Sequence, residues 1–218
     1  MPNLAFSPLS NEEIDRFLRE YPEQNKREIK RLWRQCARSK DMLGYVYDRD
    51  RMVFIRNNRI VPTKTVRANV NVVSLCVADE LSDIADSLIA ERITLQEWHD
   101  ESAERLRTLL FLTGLVALGG LHMLNRAGRQ GYPAEGEIWS AVTHEAKDQL
   151  YYLRDFGRSA RDNYEKLQGR IKGRIRQYAL AGNTVYKNST RWAAQFAGKT
   201  EEIRVLGRPE KHCSDCPE

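Results

Sequence analysis

The chain has 218 residues, 41% apolar and 30% charged, with 35 Lys and Arg against 30 Asp and Glu. That apolar share is enough to build a buried core and excludes a wholly disordered chain. The most apolar run, LLFLTGLVALGGL at 109–121, is too short to span a bilayer and reads as a buried helix.

The charge is uneven. Residues 1–44 carry 9 cations against 7 acids, 45–67 carry 6 against 2, 68–153 carry 6 against 13, and 154–211 carry 14 against 6. An acidic middle between basic neighbours suits contact with a polyanion or with an oppositely charged neighbour in an assembly. The plainer reading is a set of solvated helix faces. The four cysteines, at 36, 76, 213 and 216, do not read as a secreted disulfide framework. Two stand alone in helical patterns and no signal-peptide pattern opens the chain, so a reducing interior is expected.

In chain order, SNEEIDRFLREY opens with Ser10 as an N-cap, acids in the first turn, and Ile14, Phe17 and Leu18 at helical spacing. After Pro22 a second helix is expected, with Ile29, Leu32, Trp33 and Cys36 on one side, closing near Gly44. YVYDRDRMVFIRNNRIVP then changes period: short aromatic and β-branched runs are separated by DRDR and NNR, which predicts a meander of two or three strands ending at Pro62. TKTVRAN reads as a polar lead into the next element.

From 70 to about 92, Val70, Val73, Val77, Leu81, Ile84 and Leu88 form the stripe of an amphipathic helix. TLQEW is a capping box, with Thr94 as N-cap and Glu97 reaching back to its amide, so a second long helix starts near 95. It runs to the glycines at 119 and 120 or on to Asn125, and its small residues Gly114, Ala117, Gly119 and Gly120 would let another backbone come close. AGRQGYPAEG is a loop. A third helix is expected from about 135 to 164, then a basic joint KLQGRIKGR with two glycines, then a fourth helix from Ile175 to Phe196. EEIRVLG reads as a short strand before the terminal cysteines.

The architecture that follows is mainly α. An antiparallel bundle of long helices spans 68–197, preceded by a helical segment at 1–44 and a small β meander at 45–67, and followed by a strand and an HCxxC-like tail at 198–218.

The sequence holds no phosphate-binding Gly-rich loop, no nucleophile elbow and no histidine pair at metal-binding spacing on a helix. His99, His122 and His144 each stand alone in helical segments, where an unpartnered imidazole is structural, and no catalytic residue is expected. The basic C-terminal third has more character. Arg158, Arg161, Arg170, Lys172, Arg174 and Arg176 interleave with Tyr164 and Tyr178, a composition suited to contacting a phosphate backbone, or an acidic partner, without reading bases. In the tail, Cys213 and Cys216 have the spacing to place two thiolates on one metal, with His212 as a third ligand. Structural zinc takes four protein ligands, so this set is incomplete. No cofactor is expected, and zinc only if further ligands are supplied.

Four blocks occur in order: ADSLIAERITLQEWHDESAERLRTLLFLTGLVALGG, DQLYYLRDFGRSA, RIRQYALAGNTVYKNSTRWAA and EIRVLGRPEKHCSDC. Together they resemble, in order and spacing, the tailed-phage minor head proteins, the Mu F-like or head morphogenesis family, over roughly residues 45–218. The resemblance implies a non-enzymatic virion protein in the head or portal region. It would be present in the host cytoplasm during assembly, oligomeric in the virion, in contact with portal, major capsid or neck proteins, and would have no membrane association. It also implies non-specific contact with packaged double-stranded DNA. Family members follow the HCxDC element with further cysteines; this chain stops after the first pair, which implies an incomplete metal knuckle and a truncated, processed or divergent C-terminus. The alternative is a non-virion DNA-binding or zinc-ribbon-like regulator, to which the basic third and the Cys-x-x-Cys pair also point.

Overall fold

A computed structural model describes residues 2–20, 23–36, 46–48, 51, 53–120, 122–196 and 198. The expected strand after 198 and the tail lie outside them. Two short helices come first. Helix α1 (Asn11–Arg19) starts at Ser10, whose hydroxyl accepts the Glu13 amide while the Glu13 carboxylate accepts the Ser10 amide. Helix α2 (Glu23–Cys36) buries Ile29, Leu32, Trp33 and Cys36 at the expected spacing.

The meander forms as the turn chemistry predicts: β1 (Val46–Asp48), β2 (Val53–Arg56) and β3 (Arg59–Val61) pair antiparallel in sequence order. Asn57 and Asn58 both take positive φ, at 48° and 59°, the two-residue turn whose twist matches a hairpin. Arg56 pairs with Arg59 across it. Phe54 is buried and ties the sheet to the core.

Helix α3 (Thr63–Ile89) begins seven residues before the expected start, because Pro62 sits at its N-cap with φ −58°. TKTVRAN is therefore helix. Val66, fully buried, extends the apolar stripe one turn back, and the residues around it are polar because that turn faces solvent.

Helix α4 (Leu95–Leu118) starts on the predicted capping box, Thr94 Oγ1 accepting the Glu97 amide at 3.1 Å and Glu97 accepting the Thr94 amide at 2.7 Å. It stops at Gly119, φ 119°. Every residue from 106 to 120 is buried, so this apolar helix is the centre around which the others pack. Gly114 does permit a close approach: a Cβ there would lie 1.9 Å from Val142 Cγ1.

After the short α5 (His122–Arg126) and the predicted loop comes α6 (Glu135–Leu180), then α7 (Gly182–Phe196). Asn163 breaks α6, with φ −140° and ψ 35°. The hydroxyl of Tyr178 donates to the Tyr152 carbonyl at 3.1 Å. Twenty-six residues of straight helix would separate them by roughly 39 Å, so α6 folds back on itself. Asn188 Nδ2, on α7, reaches Glu145 at 2.6 Å and continues the antiparallel pairing.

This corrects the expected basic joint. Residues 166–174 are helical through Gly169 and Gly173, and the turn lies before them. Tyr164, Ile171, Ile175 and Tyr178 are buried on one helical stripe, and that burial outweighs the roughly 1 kcal/mol a helical glycine costs relative to alanine.

The architecture is thus mainly α, long helices packed antiparallel with a small sheet in the N-terminal third. The apolar residues of α1 and α2 join the same core as the bundle. Arg107 of α4, only 8% exposed, clamps them: its guanidinium donates to the Phe17 carbonyl (2.9 Å), Asn25 Oδ1 (3.2 Å) and Glu104 (2.6 Å). It also lies 3.8 Å from the Phe17 ring centre. Cys36 and Cys76 do not stand alone, as their sequence neighbourhoods implied: they form a disulfide between α2 and α3.

Candidate polyanion-contact surface

The six predicted contact cations lie on both arms of α6. Arg158 and Arg161 are near the end of the first, and Arg170, Lys172, Arg174 and Arg176 are on the second. All six are exposed, but most are paired. Arg158 lies 3.1 Å from Asp155 and Arg161 2.8 Å from Asp162. That pair holds the Asp162 carboxyl below, and the Arg161 guanidinium above, their ordinary values, chiefly through the hydrogen bond between them.

Across the helix pair, Lys172 reaches Asp86 at 2.5 Å and Arg176 reaches Asp79 at 2.7 Å, because the second arm runs antiparallel to α3. On the other face, Arg170 and Arg174 line a hollow of about 440 Å³ with Phe156, Leu167 and Gln177, inside the fold-back of α6. The segment therefore divides between an α3-facing pair of cations and a hollow-facing pair, and does not form one basic strip.

Tyr164 and Tyr178 are not exposed platforms for stacking. Both are buried; Tyr164 donates to the Leu88 carbonyl at 3.4 Å and Tyr178 to Tyr152. Burial raises the pKa of both phenols. The interleaving of cations and tyrosines that suggests a phosphate-backbone surface is the buried stripe of one helix with its solvent face between.

His212, Cys213 and Cys216 lie outside the described residues. Among the described residues, the sulfurs of Cys36 and Cys76 and a carboxylate oxygen of Glu80 lie within 4.8 Å of one another. As a disulfide the sulfurs offer no thiolate, and Glu80 is occupied by Gln35 at 2.6 Å and by Arg105 at 3.5 Å. That donor set does not suit zinc.

His99 is buried, with Nδ1 3.1 Å from Asp100 and its ring edge-on to Phe6 at 5.0 Å. Burial lowers its pKa, against the opposing pull of the Asp100 hydrogen bond and charge. His144 is exposed, 3.8 Å from Asp148. Among the described residues, neither meets a nucleophile. The side chain of His122 lies outside the described residues. Arg107 carries no local signal in the sequence, because two of its three acceptors, Phe17 and Asn25, are 90 and 82 residues away.

Among the described residues, no helix is long and apolar enough to cross a membrane. Compared with family models, curated proteins and solved structures, the chain matches none.

Proposed function

We propose that this chain is a structural component of a tailed-phage head, a minor capsid or head morphogenesis protein near the portal vertex that assists head assembly and contacts packaged DNA. The observation that carries the reading is the order and spacing of the four sequence blocks. The first runs from the end of α3 through the capped start and Gly-Gly stop of α4, the second lies within the first arm of α6, and the third covers the end of its second arm with most of α7. Packing supports it: the 27-residue α3, the two arms of α6 and the 15-residue α7, set around the buried α4, offer long outer faces for neighbouring subunits. On this reading its partners are portal, major capsid or neck proteins, and double-stranded DNA is held without base reading.

The test is particle content. Quantitative mass spectrometry of purified proheads and mature heads from infected cells finds the chain at a few copies per particle, enriched with the portal. Absence from both particles overturns the reading. The excess of 14 cations over 6 acids at 154–211 favours a second reading, a DNA-binding regulator outside the virion. Tight, sequence-selective binding by an isolated monomer with stoichiometric zinc would select it.

A further inference from the structure

Two stretches of this sequence contain no Asp or Glu, 51–78 and 166–200. The fold brings the second half of one against the second half of the other. Gly182, at the start of α7, packs so closely on α3 that a Cβ there would lie 3.0 Å from Ser74 Oγ. From that point α7 runs back toward the N-terminal end of α3. Between them are two adjoining hollows of about 450 and 440 Å³ that share Arg67 and Asn183.

Four cations line this groove: Lys64 and Arg67 from α3, Lys187 and Arg191 from α7. Among the described residues, no carboxylate lines either hollow. Among the described residues Lys64, Arg67 and Lys187 make no ion pair or hydrogen bond, and all three are exposed. This is the reverse of the second arm of α6, whose Lys172 and Arg176 meet Asp86 and Asp79 further along the same α3.

Two further features add positive potential and neutral donors. The groove lies at the N-terminal end of a 27-residue helix with no acid in its first turn and no side-chain cap, where the helix dipole favours an anion. Asn71 and Asn183 add amide donors that can reach phosphate oxygens. Among the described residues, no exposed aromatic ring lines the groove to stack a base, since Tyr186 is buried.

We propose that the groove between the N-terminal half of α3 and α7 binds the phosphate backbone of double-stranded DNA without base specificity. Lys64, Arg67 and Lys187 are its principal contacts. The identification of the surface stands on the charge geometry; the choice of double-stranded DNA among phosphate polymers rests on the function proposed above.

The test is a fluorescence anisotropy titration of the full chain with a labelled mixed-sequence duplex. At about 0.9 of log–log salt slope per neutralised phosphate, three contacts give a slope near −3, so affinity falls roughly fortyfold between about 50 and 200 mM salt. The Lys64→Gln/Arg67→Gln/Lys187→Gln variant binds at least tenfold more weakly at the lower salt and loses most of the slope. The Arg158→Gln/Arg161→Gln variant, which removes paired cations, stays within about twofold. Circular dichroism checks that the exposed substitutions leave the fold intact.

Wild-type binding that the triple substitution leaves unchanged overturns this groove while leaving DNA contact in place elsewhere. No duplex binding at all overturns the groove and the DNA contact together, while membership of the virion is still decided by particle content. A preference for polyglutamate over the duplex that is lost in the triple variant overturns DNA as the occupant.

Discussion

The second arm of α6 and the helix α7 that follows it both lie on α3, and from Lys166 to Thr200 neither contributes a carboxylate. Their cations nevertheless meet different surroundings. The arm's Lys172 and Arg176 face Asp86 and Asp79, while Lys187 of α7 faces the acid-free half of α3 with Lys64 and Arg67. A basic stretch is therefore a poor guide to a polyanion surface until the opposing charges are known. The arm reads as part of the packing, and α7 as a surface left positive. Arg107 is the extreme of the paired class, buried and with three acceptors.

The largest expected effect tests that extreme. Arg107→Ala leaves Asn25 and the Phe17 carbonyl without their donor inside the protein and removes a cation from the Phe17 ring, and should cost about 2–4 kcal/mol in urea unfolding. Next is the packing that brings α7 into place. Gly114→Ala drives a methyl into Val142, with Ser189 of α7 3.3 Å away, and should cost about 1–3 kcal/mol by the same measurement.

The comparison itself can be reversed by charge. Asp79→Asn with Asp86→Asn frees Arg176 and Lys172, and should raise duplex affinity severalfold at low salt and steepen the salt slope by up to about 2. Unchanged binding would show that the arm cannot reach the DNA even when unpaired. For stability, breaking the surface pair should matter little: Arg176→Ala should shift unfolding by less than about 0.5 kcal/mol, since both partners are solvated.

The smallest effect concerns pH. Burial holds the His99 pKa below 6.5, with Asp100 pulling it back up and the nearby Arg154 charge lowering it further. The unfolded chain takes this proton more readily than the folded one. Stability is therefore fully present above about pH 6.5 and declines as pH falls from there toward the lower folded value. His99→Phe, which keeps a ring against Phe6, should remove that part of the slope in melting temperatures measured between about pH 5 and 7.5.

What the chain determined alone is the set of features encoded within a few residues of one another. The capping boxes at Ser10 and Thr94 start their helices, Gly119 stops α4, Asn57 and Asn58 close the hairpin, and the run at 109–121 makes a buried helix, because caps, turns and periodicity act over one or two turns. The helix through Gly169 and Gly173 is hidden in the sequence for the same reason: their local cost is visible, while the buried stripe from Tyr164 to Tyr178 needs a neighbour to lie on.

Only the tertiary structure decided the pairings. The break at Asn163 folds α6 back and sets its register on α3, and that register joins Arg176 to Asp79 across 97 residues while, among the described residues, Lys187 meets no acid. Cys36 meets Cys76 across 40 residues, and Arg107 meets Phe17 across 90. Coulomb and hydrogen-bond energies depend on distance in space, and nothing local to either partner in these pairs records how the helices will be set against each other.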